Sequence, residues 1–307
     1  MTTSPPLIIL KIGGSVATHK DRAGLAIRTA LLKKIALAIQ AARDERPLRL
    51  ILIHGSGSAG HQLAHDFDLR HGTGTDPLKI DAALRSQRAN QSLDAAIAEI
   101  LVAAGLPVVP VHTASVIIQR DAKIHRFATD AVARALKHGQ IPLLYGEMVP
   151  DTRLGFSVCS GDTIAVALAR EFGADRIGFA SDIDGVFTRD PHRFADATLI
   201  ETAHIASIAD RSDLSGSHNV DVTGGLGGKL EKLAPLRRSS LRQVEIFDGL
   251  EVAEALREFV DDLAYFAFAA SVGPVAAVRG TTDGLRLAVT VTAGPDVIEA
   301  VKKELAK

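Results

Sequence analysis

The stretch Leu7-Ile8-Ile9-Leu10-Lys11-Ile12-Gly13-Gly14-Ser15 decides the fold. The apolar run is too short for a helix, shows no polar alternation and stops at a glycine pair. Such a run reads as a buried parallel strand that hands over to a helix. The same grammar recurs at residues 48–53 before His54-Gly55, at 107–111, 141–144 and 176–180, and at 243–247 before Asp248-Gly249. Helical spacing lies between these runs. Residues 29–43 place Leu31, Leu32, Ile35, Leu37 and Ile39 on one helix, and 80–104 form a long Ala-rich helix with Arg85, Arg88, Gln91 and Asp94 on its polar side. Residues 162–171 and 226–239 are further helices. Alternating strands and helices give an α/β fold, a three-layer αβα sandwich around a mostly parallel central sheet. The whole chain, 1–307, reads as one domain whose two halves meet near 150–160. Beyond about Tyr265 a strand at 284–293 and a closing helix at 294–307 are expected.

Composition narrows the function classes. With 307 residues and 47% hydrophobic content the chain can bury a full core, which excludes intrinsic disorder. Lys plus Arg number 35 and Asp plus Glu 36, so the basic surplus of a general nucleic-acid binder is missing. Aromatic residues at 4% also leave no platform for stacking single strands. A single cysteine, Cys159, excludes an internal disulfide framework and a Cys-based zinc site, and suits a reducing cytosol. No basic region precedes the first apolar run, and no apolar stretch approaches the ~18 residues of a membrane span. A cytoplasmic enzyme without nucleic-acid or membrane partners is expected.

Four glycine clusters sit at strand-to-helix handovers: Gly13-Gly14-Ser15, the loop from Gly55 to Gly60, Ser160-Gly161-Asp162, and Gly224-Gly225-Leu226-Gly227-Gly228. Backbone N–H groups and the helix dipole collect phosphates at such places. The second cluster matches G-x-G-x-x-G, but no apolar strand with a terminal acid follows it, as a dinucleotide fold requires. No G-x-x-x-x-G-K-[ST] is present, so a P-loop is excluded. His61 and His65 stand one helical turn apart, yet Gln62 replaces the glutamate that a zincin needs. No metal-ligating set emerges.

Lysines accompany the glycines. Lys11 lies inside the first strand, where a charge is costly without a partner. Lys20 follows on the same loop, and Lys229 opens a helix beside the last glycine cluster. Together they suggest cations converging on an anion, the arrangement phosphoryl transfer needs. Asp162 can both cap its helix and orient the lysines. Asp182 and Asp184 in Ser181-Asp182-Ile183-Asp184-Gly185 follow a strand, either as turn chemistry or as contacts to a nucleotide. His61 ends the glycine loop at a helix start, placed to donate to a second phosphate.

Five motifs in order, KIGGSVATHK (11–20), HGSGSAGH (54–61), SGDTIA (160–165), SDIDGV (181–186) and LSGSHNVDVTGGLGGK (214–229), resemble the amino acid kinase superfamily and, within it, the isopentenyl phosphate kinase family, with the fosfomycin kinase branch next. The resemblance covers residues 8–250. It implies ATP-dependent phosphorylation of isopentenyl phosphate to the diphosphate, with Mg2+ arriving on ATP, and a homodimer. It makes 1–150 the acceptor-binding half and 151–307 the nucleotide-binding half. Lys11, Lys20 and Lys229 would hold the transferring phosphates and Asp162 would organise them. Gly14, Ser15, Gly55, Ser56, Gly60, His61 and Gly161 would hold the acceptor, and Gly13, Asp182, Asp184, Gly185, Thr223, Gly224 and Gly225 the nucleotide, together with Lys11 and Lys229. The attacking phosphate oxygen is ionised at neutral pH, so no general base is needed.

This chain departs from the family pattern at two loop positions, Ser56 for Gly and Ala59 for Phe. Ser56 is expected to restrict the backbone, and Ala59 to open space beside His61. The helix at 80–104, with Ala82, Ala83, Leu84 and Ala89, is expected to wall the acceptor's tail without aromatic rings. The rivals are the same chemistry on another small phosphate or phosphonate such as fosfomycin, a catalytically silent nucleotide-binding protein, and an oxidoreductase. An apolar pocket would favour isopentenyl phosphate and an open polar one the first rival.

Overall fold

The computed structural model describes residues 4–19, 22, 24–181, 186–187, 199–200 and 243–248. In chain order the elements are β1 (Leu7–Ile12), α1 (Gly14–Ala17), α2 (Thr29–Glu45), β2 (Arg49–His54), α3 (Gly57–Asp66), α4 (Pro77–Ala103), β3 (Val108–Pro110), α5 (Thr113–Val116), β4 (Ile117–Arg120), β5 (Lys123–Phe127), α6 (Asp130–Lys137), β6 (Ile141–Tyr145), β7 (Glu147–Asp151), β8 (Gly155–Cys159), α7 (Gly161–Phe172), β9 (Arg176–Ser181), β10 (Val186–Phe187), β11 (Leu199–Ile200) and β12 (Gln243–Asp248).

The six apolar runs become the six strands of one parallel sheet, ordered β12-β9-β1-β2-β6-β3. Alternate residues of β1 face opposite cores. Leu7 and Ile9 pack with Ile164 and Leu168 of α7 and Val132 of α6. Ile8, Leu10 and Ile12 pack with Leu32, Ile35 and Ile39 of α2 and Leu93 and Ile97 of α4. Burial on both faces explains why these strands read as unbroken apolar runs. The helical reading of 29–43 needs one correction: Leu37 is 62% exposed, and Ala36 and Ala42 complete the buried stripe instead. The residue that stops the α4 pattern early in sequence is Asp76, whose carboxylate accepts from Leu78 and Lys79 N–H ahead of Pro77.

A second sheet, β5-β4-β7-β8, was not expected. β4, β5 and β8 are half-exposed, β7 is largely buried, and none carries a continuous apolar run. Asp151 locks its two hairpins. It accepts from Asp121 and Ala122 N–H in the β4–β5 turn, where both residues have positive φ, and from Arg153 and Leu154 N–H in its own. Burial opposes charge there, but those bonds and the Ser157 hydroxyl outweigh it and hold the carboxyl at about 2. The segment 150–160, where the two halves were expected to meet, runs through the β7–β8 hairpin to the start of α7. The helix expected at 226–239 and the elements at 284–307 lie outside the described residues. Among the described residues no helix is long and apolar enough to cross a membrane.

Candidate active site

The chain leaves β1 toward β2 on one side and returns later as β9 on the other. The crevice outside the carboxyl ends of such strands is the usual ligand site of a parallel sheet. Two glycine loops meet there back to back. A Cβ on Gly55 would lie 2.6 Å from Gly14 N, and one on Gly14 would lie 2.9 Å from Gly57 N. Backbone touches backbone, so both positions need glycine. Gly13 N–H donates to Ala180 O at 2.8 Å and Gly55 N–H to Ile12 O at 2.9 Å. Thr18, fully buried, ties the loops together: its hydroxyl donates to Gly14 O at 2.8 Å and accepts from Ser58 N–H at 2.9 Å. Sequence reasoning gave Thr18 no role, because one threonine beyond a glycine turn carries no signal of its own.

A cleft opens above these loops, with about 530 Å³ of space, part of it open solvent. It gathers Lys11, Gly14, Gly55, Ser56, Gly60 and His61, with Gly161 and Asp162 closing one side. Lys11 Nζ lies 3.1 Å from Asp162 Oδ1, and both side chains are largely buried. Asp162 does not cap α7. Ser160 does, accepting from Thr163 N–H at 3.2 Å. The Asp162 carboxylate is thereby left to the lysine and sits in the first turn, where the helix dipole favours it. Gly161 packs close beside the pair: a Cβ there would sit 3.2 Å from Ile53 Cγ2 and 3.4 Å from Lys11 Cε.

Gly13 and Ser15 flank the cleft rather than line it. Gly13 is buried against Ala180 O, and the Ser15 carbonyl accepts from Arg28 Nε at 3.1 Å. Ser56 does not restrict the loop as expected. Its φ of −64° and ψ of −11° are open to any residue, and its hydroxyl donates to Gly146 O at 3.2 Å. Lys20, Asp182, Asp184, Gly185, Thr223, Gly224, Gly225 and Lys229 lie outside the described residues.

The tail-binding wall differs from the expectation. Leu84 is 46% exposed, and Ala82 and Ala83 pack into a small core with Ala64, Leu69 and Met148. From α4 it is Ser86 and Asn90 that line the cleft, facing Glu147 and Met148 of β7 and Val158 of β8. Glu147 is 1% exposed. Burial pushes its carboxyl up to about 7, with a smaller push from Asp94, against the hydrogen bonds from Asn90 and Met148 N–H. Asp94, read as part of a solvent-facing polar side, is buried as well, 3.3 Å from His54 Nε2. His54 Nδ1 donates to Gly55 O at 2.8 Å, and its ring stacks on Tyr145. Glu147 was missed because a charged residue at the start of an unpredicted strand looks like surface. Its one sequence signal is its place directly after the buried run at 141–144. Among the described residues no group of three His, Cys, Asp or Glu could hold a metal.

Comparison with known proteins agrees with this geometry. Residues 6–248 match the model of the amino acid kinase family. The chain is 33% identical to the isopentenyl phosphate kinase of Methanothermobacter thermautotrophicus over 237 residues, 74% of this chain and 85% of that protein. It is 31% identical to the isopentenyl phosphate kinase of Methanocaldococcus jannaschii, over 74% of this chain and 86% of that one. A solved isopentenyl phosphate kinase structure superposes with a TM-score of 0.71 at 28% identity, covering 83% of this chain and 95% of that one.

Proposed function

The chain belongs to the amino acid kinase family and, within it, to the isopentenyl phosphate kinase family, and from that premise we propose that it transfers the terminal phosphoryl group of ATP to a phosphate oxygen of a small monophosphate. The observation that carries the reading is the Lys11–Asp162 pair at the mouth of two touching glycine loops, with His61 on the same cleft. A bond forms between the γ-phosphorus and an acceptor phosphate oxygen, and the bond to the ADP oxygen breaks. The acceptor oxygen is already ionised, so no proton need be removed. Lys11 balances charge on the transferring oxygens, Asp162 holds the lysine in place, and backbone N–H groups of the glycine loops and His61 receive the acceptor phosphate. Lys20 joins Lys11 on the transferring phosphates, and Lys229 and the segments around Asp182 and Thr223 serve the nucleotide side. Magnesium would come with ATP, held mostly by phosphate oxygens and water, and would neutralise charge on the transferring phosphates.

The relatives' names make isopentenyl phosphate the first acceptor to try, yielding isopentenyl diphosphate. A second reading, another small phosphate or phosphonate such as fosfomycin, draws on Ser86, Asn90 and Glu147, while Ala64, Met148 and Val158 on the same cleft favour the first. An ADP-release assay with Mg-ATP over a panel of acceptors tests both. Turnover of isopentenyl phosphate supports the first. Turnover of fosfomycin without isopentenyl or dimethylallyl phosphate supports the second. In the same assay Lys229→Ala is expected to lose most turnover while keeping its fold.

A further inference from the structure

Two buried oxygens behind the acceptor loop are satisfied by a single proton. Asn90 Nδ2 donates to Glu147 Oε1 at 2.9 Å, and both residues are 1% exposed. The other oxygens of the same two groups, Asn90 Oδ1 and Glu147 Oε2, are buried and accept from nothing among the described residues. An amide and a carboxylic acid can pair at both corners: the N–H donates to one carboxyl oxygen and the acid O–H donates back to the amide oxygen. Glu147 Oε1 already accepts from Met148 N–H at 2.9 Å, so Oε2 is the place for the proton. With it, both oxygens are met inside the protein. Without it, two buried acceptors are left unmet. Turning the amide over gives no alternative, because Oδ1 would then face Glu147 Oε1 and Gly146 O. The surroundings favour the proton too, since burial pushes the Glu147 carboxyl up to about 7 and Asp94 of α4 pushes the same way.

The pair sits where three parts of the active site meet. Asn90 Nδ2 also reaches Gly146 O at 3.4 Å, and the Ser56 hydroxyl donates to that same oxygen at 3.2 Å. At the other end of the loop, a Cβ on Gly60 would stand 2.7 Å from Asn90 Oδ1, so this oxygen lies against the turn that presents His61. Gly146 in turn abuts the start of α7: a Cβ on it would stand 3.0 Å from Gly161 N, beside Asp162. Both ends of the acceptor loop therefore rest on Asn90 or on the carbonyl it holds. Several titratable groups surround Glu147. Asp94 of α4 has His54 of β2 at 3.3 Å, Cys159 of β8 stands opposite Glu147 in register, and Tyr145 of β6 stacks on His54 with His112 at its edge. Lys11, His61 and Asp162 line the same cleft.

We propose that Asn90 and Glu147 are positioning residues for the acceptor: the protonated Glu147 carboxyl holds Asn90 Oδ1, and Asn90 holds the loop from Ser56 to His61 in its phosphate-binding shape. The inference rests on the kinase reading of the cleft. It adds a buried proton that acceptor binding requires and that the reaction does not transfer.

The test uses the full chain with Mg-ATP and isopentenyl phosphate, read by ADP release. Glu147→Gln copies the protonated acid, with one oxygen to accept and one N–H to donate to Asn90 Oδ1, and it cannot ionise. His61 and the acceptor phosphate titrate alike in both proteins, so the readout is the ratio of acceptor kcat/KM, Glu147→Gln over wild type. That ratio is expected to rise about 10-fold from about pH 6 to about pH 8, the change in neutral fraction of a group titrating at about 7. The rise should lie in the KM for the acceptor and not in the KM for ATP. A level ratio, or a rise shared by ATP, overturns the proposal. In an Asn90→Ala background the ratio should stay level; a rise persisting there would mean that Glu147 acts by its charge alone, and overturns it too. Should Asn90→Ala not fold, infrared difference spectra of wild type against Glu147→Gln decide. A carboxylic-acid carbonyl band of the wild type is expected at about pH 6 and should fade by about pH 8, and its absence at the lower pH overturns the proposal. No turnover in any variant would count against the kinase reading instead. The inference is then decided by calorimetric titration of isopentenyl phosphate at the two pH values, where a level affinity ratio, or no binding, overturns it.

Discussion

Lys11 at the end of β1 and Asp162 in the first turn of α7 stand 3.1 Å apart across the two halves of the sequence. Neither is placed by its neighbours alone. The two residues meet because α7 packs against β1, and the carboxylate is available because Ser160 takes the cap. Residues that act as one unit give non-additive losses. Lys11→Met and Asp162→Asn are each expected to lower kcat by about 100-fold or more, the scale of losing one electrostatic contact to a transition state. The double variant should be little worse than the poorer single one. Steady-state kinetics of the three variants, with circular dichroism as the folding control, checks this; fully multiplied losses would mean that the two act separately.

His61 lines the cleft at the end of the glycine loop. If it donates to the acceptor's phosphate, His61→Ala removes one hydrogen bond to a charged partner, about 1.5–3 kcal/mol. The acceptor's kcat/KM should then fall by about 10- to 150-fold. The KM for ATP should move far less, since the histidine belongs to the acceptor loop. Equal effects on both substrates would remove it from the acceptor side.

The glycine loops give a sharper contrast between two adjacent positions. A Cβ on Gly55 would press against Gly14 backbone at 2.6 Å, and neither loop has a flexible side chain there to yield. Gly55→Ala is expected to destabilise by about 1–3 kcal/mol, as overpacking does, and to displace the phosphate-binding backbone. Ser56 has ordinary dihedral angles, so Ser56→Gly costs only its hydroxyl bond to Gly146 O and some chain entropy, about 1 kcal/mol. Thermal melts of the two variants should therefore separate. Equal losses would refute the close contact of the loops.

How far the sequence was legible follows from burial. The central strands are covered on both faces, so Leu7–Ile12 and its neighbours appear as apolar runs ended by glycine or His-Gly. The second sheet is covered unevenly. Lys123, His125 and Arg126 of β5 are exposed, and its register shifts at Ile118 and Gln119, so no period survives in the sequence. The glycines and Lys11 were legible because their chemistry is unusual at strand ends. Glu147, Asn90 and Asp94 were not, because a buried polar residue looks like a surface one until its partners are known. Their positions depend on α4 crossing β7, a contact between segments far apart in the chain.

That burial makes Glu147 the group whose charge state the fold should report. Its carboxyl stands at about 7 against an ordinary 4.5, so the folded protein binds this proton more tightly than the unfolded chain does. Between those two values the native state holds more protons, and its stability falls as pH rises. Below about 4.5 the group is neutral in both states and costs nothing; above about 7 the full penalty is present, roughly 3 kcal/mol. Glu147→Gln keeps an oxygen for Asn90 and Met148 N–H and cannot ionise. It should therefore be more stable than the wild type at pH 8, by roughly 1–3 kcal/mol, and similar to it near pH 4.5. Urea unfolding of both proteins across that range measures the difference. A gap that does not widen from pH 4.5 to pH 8 would mean that Glu147 does not ionise as a buried, poorly solvated group.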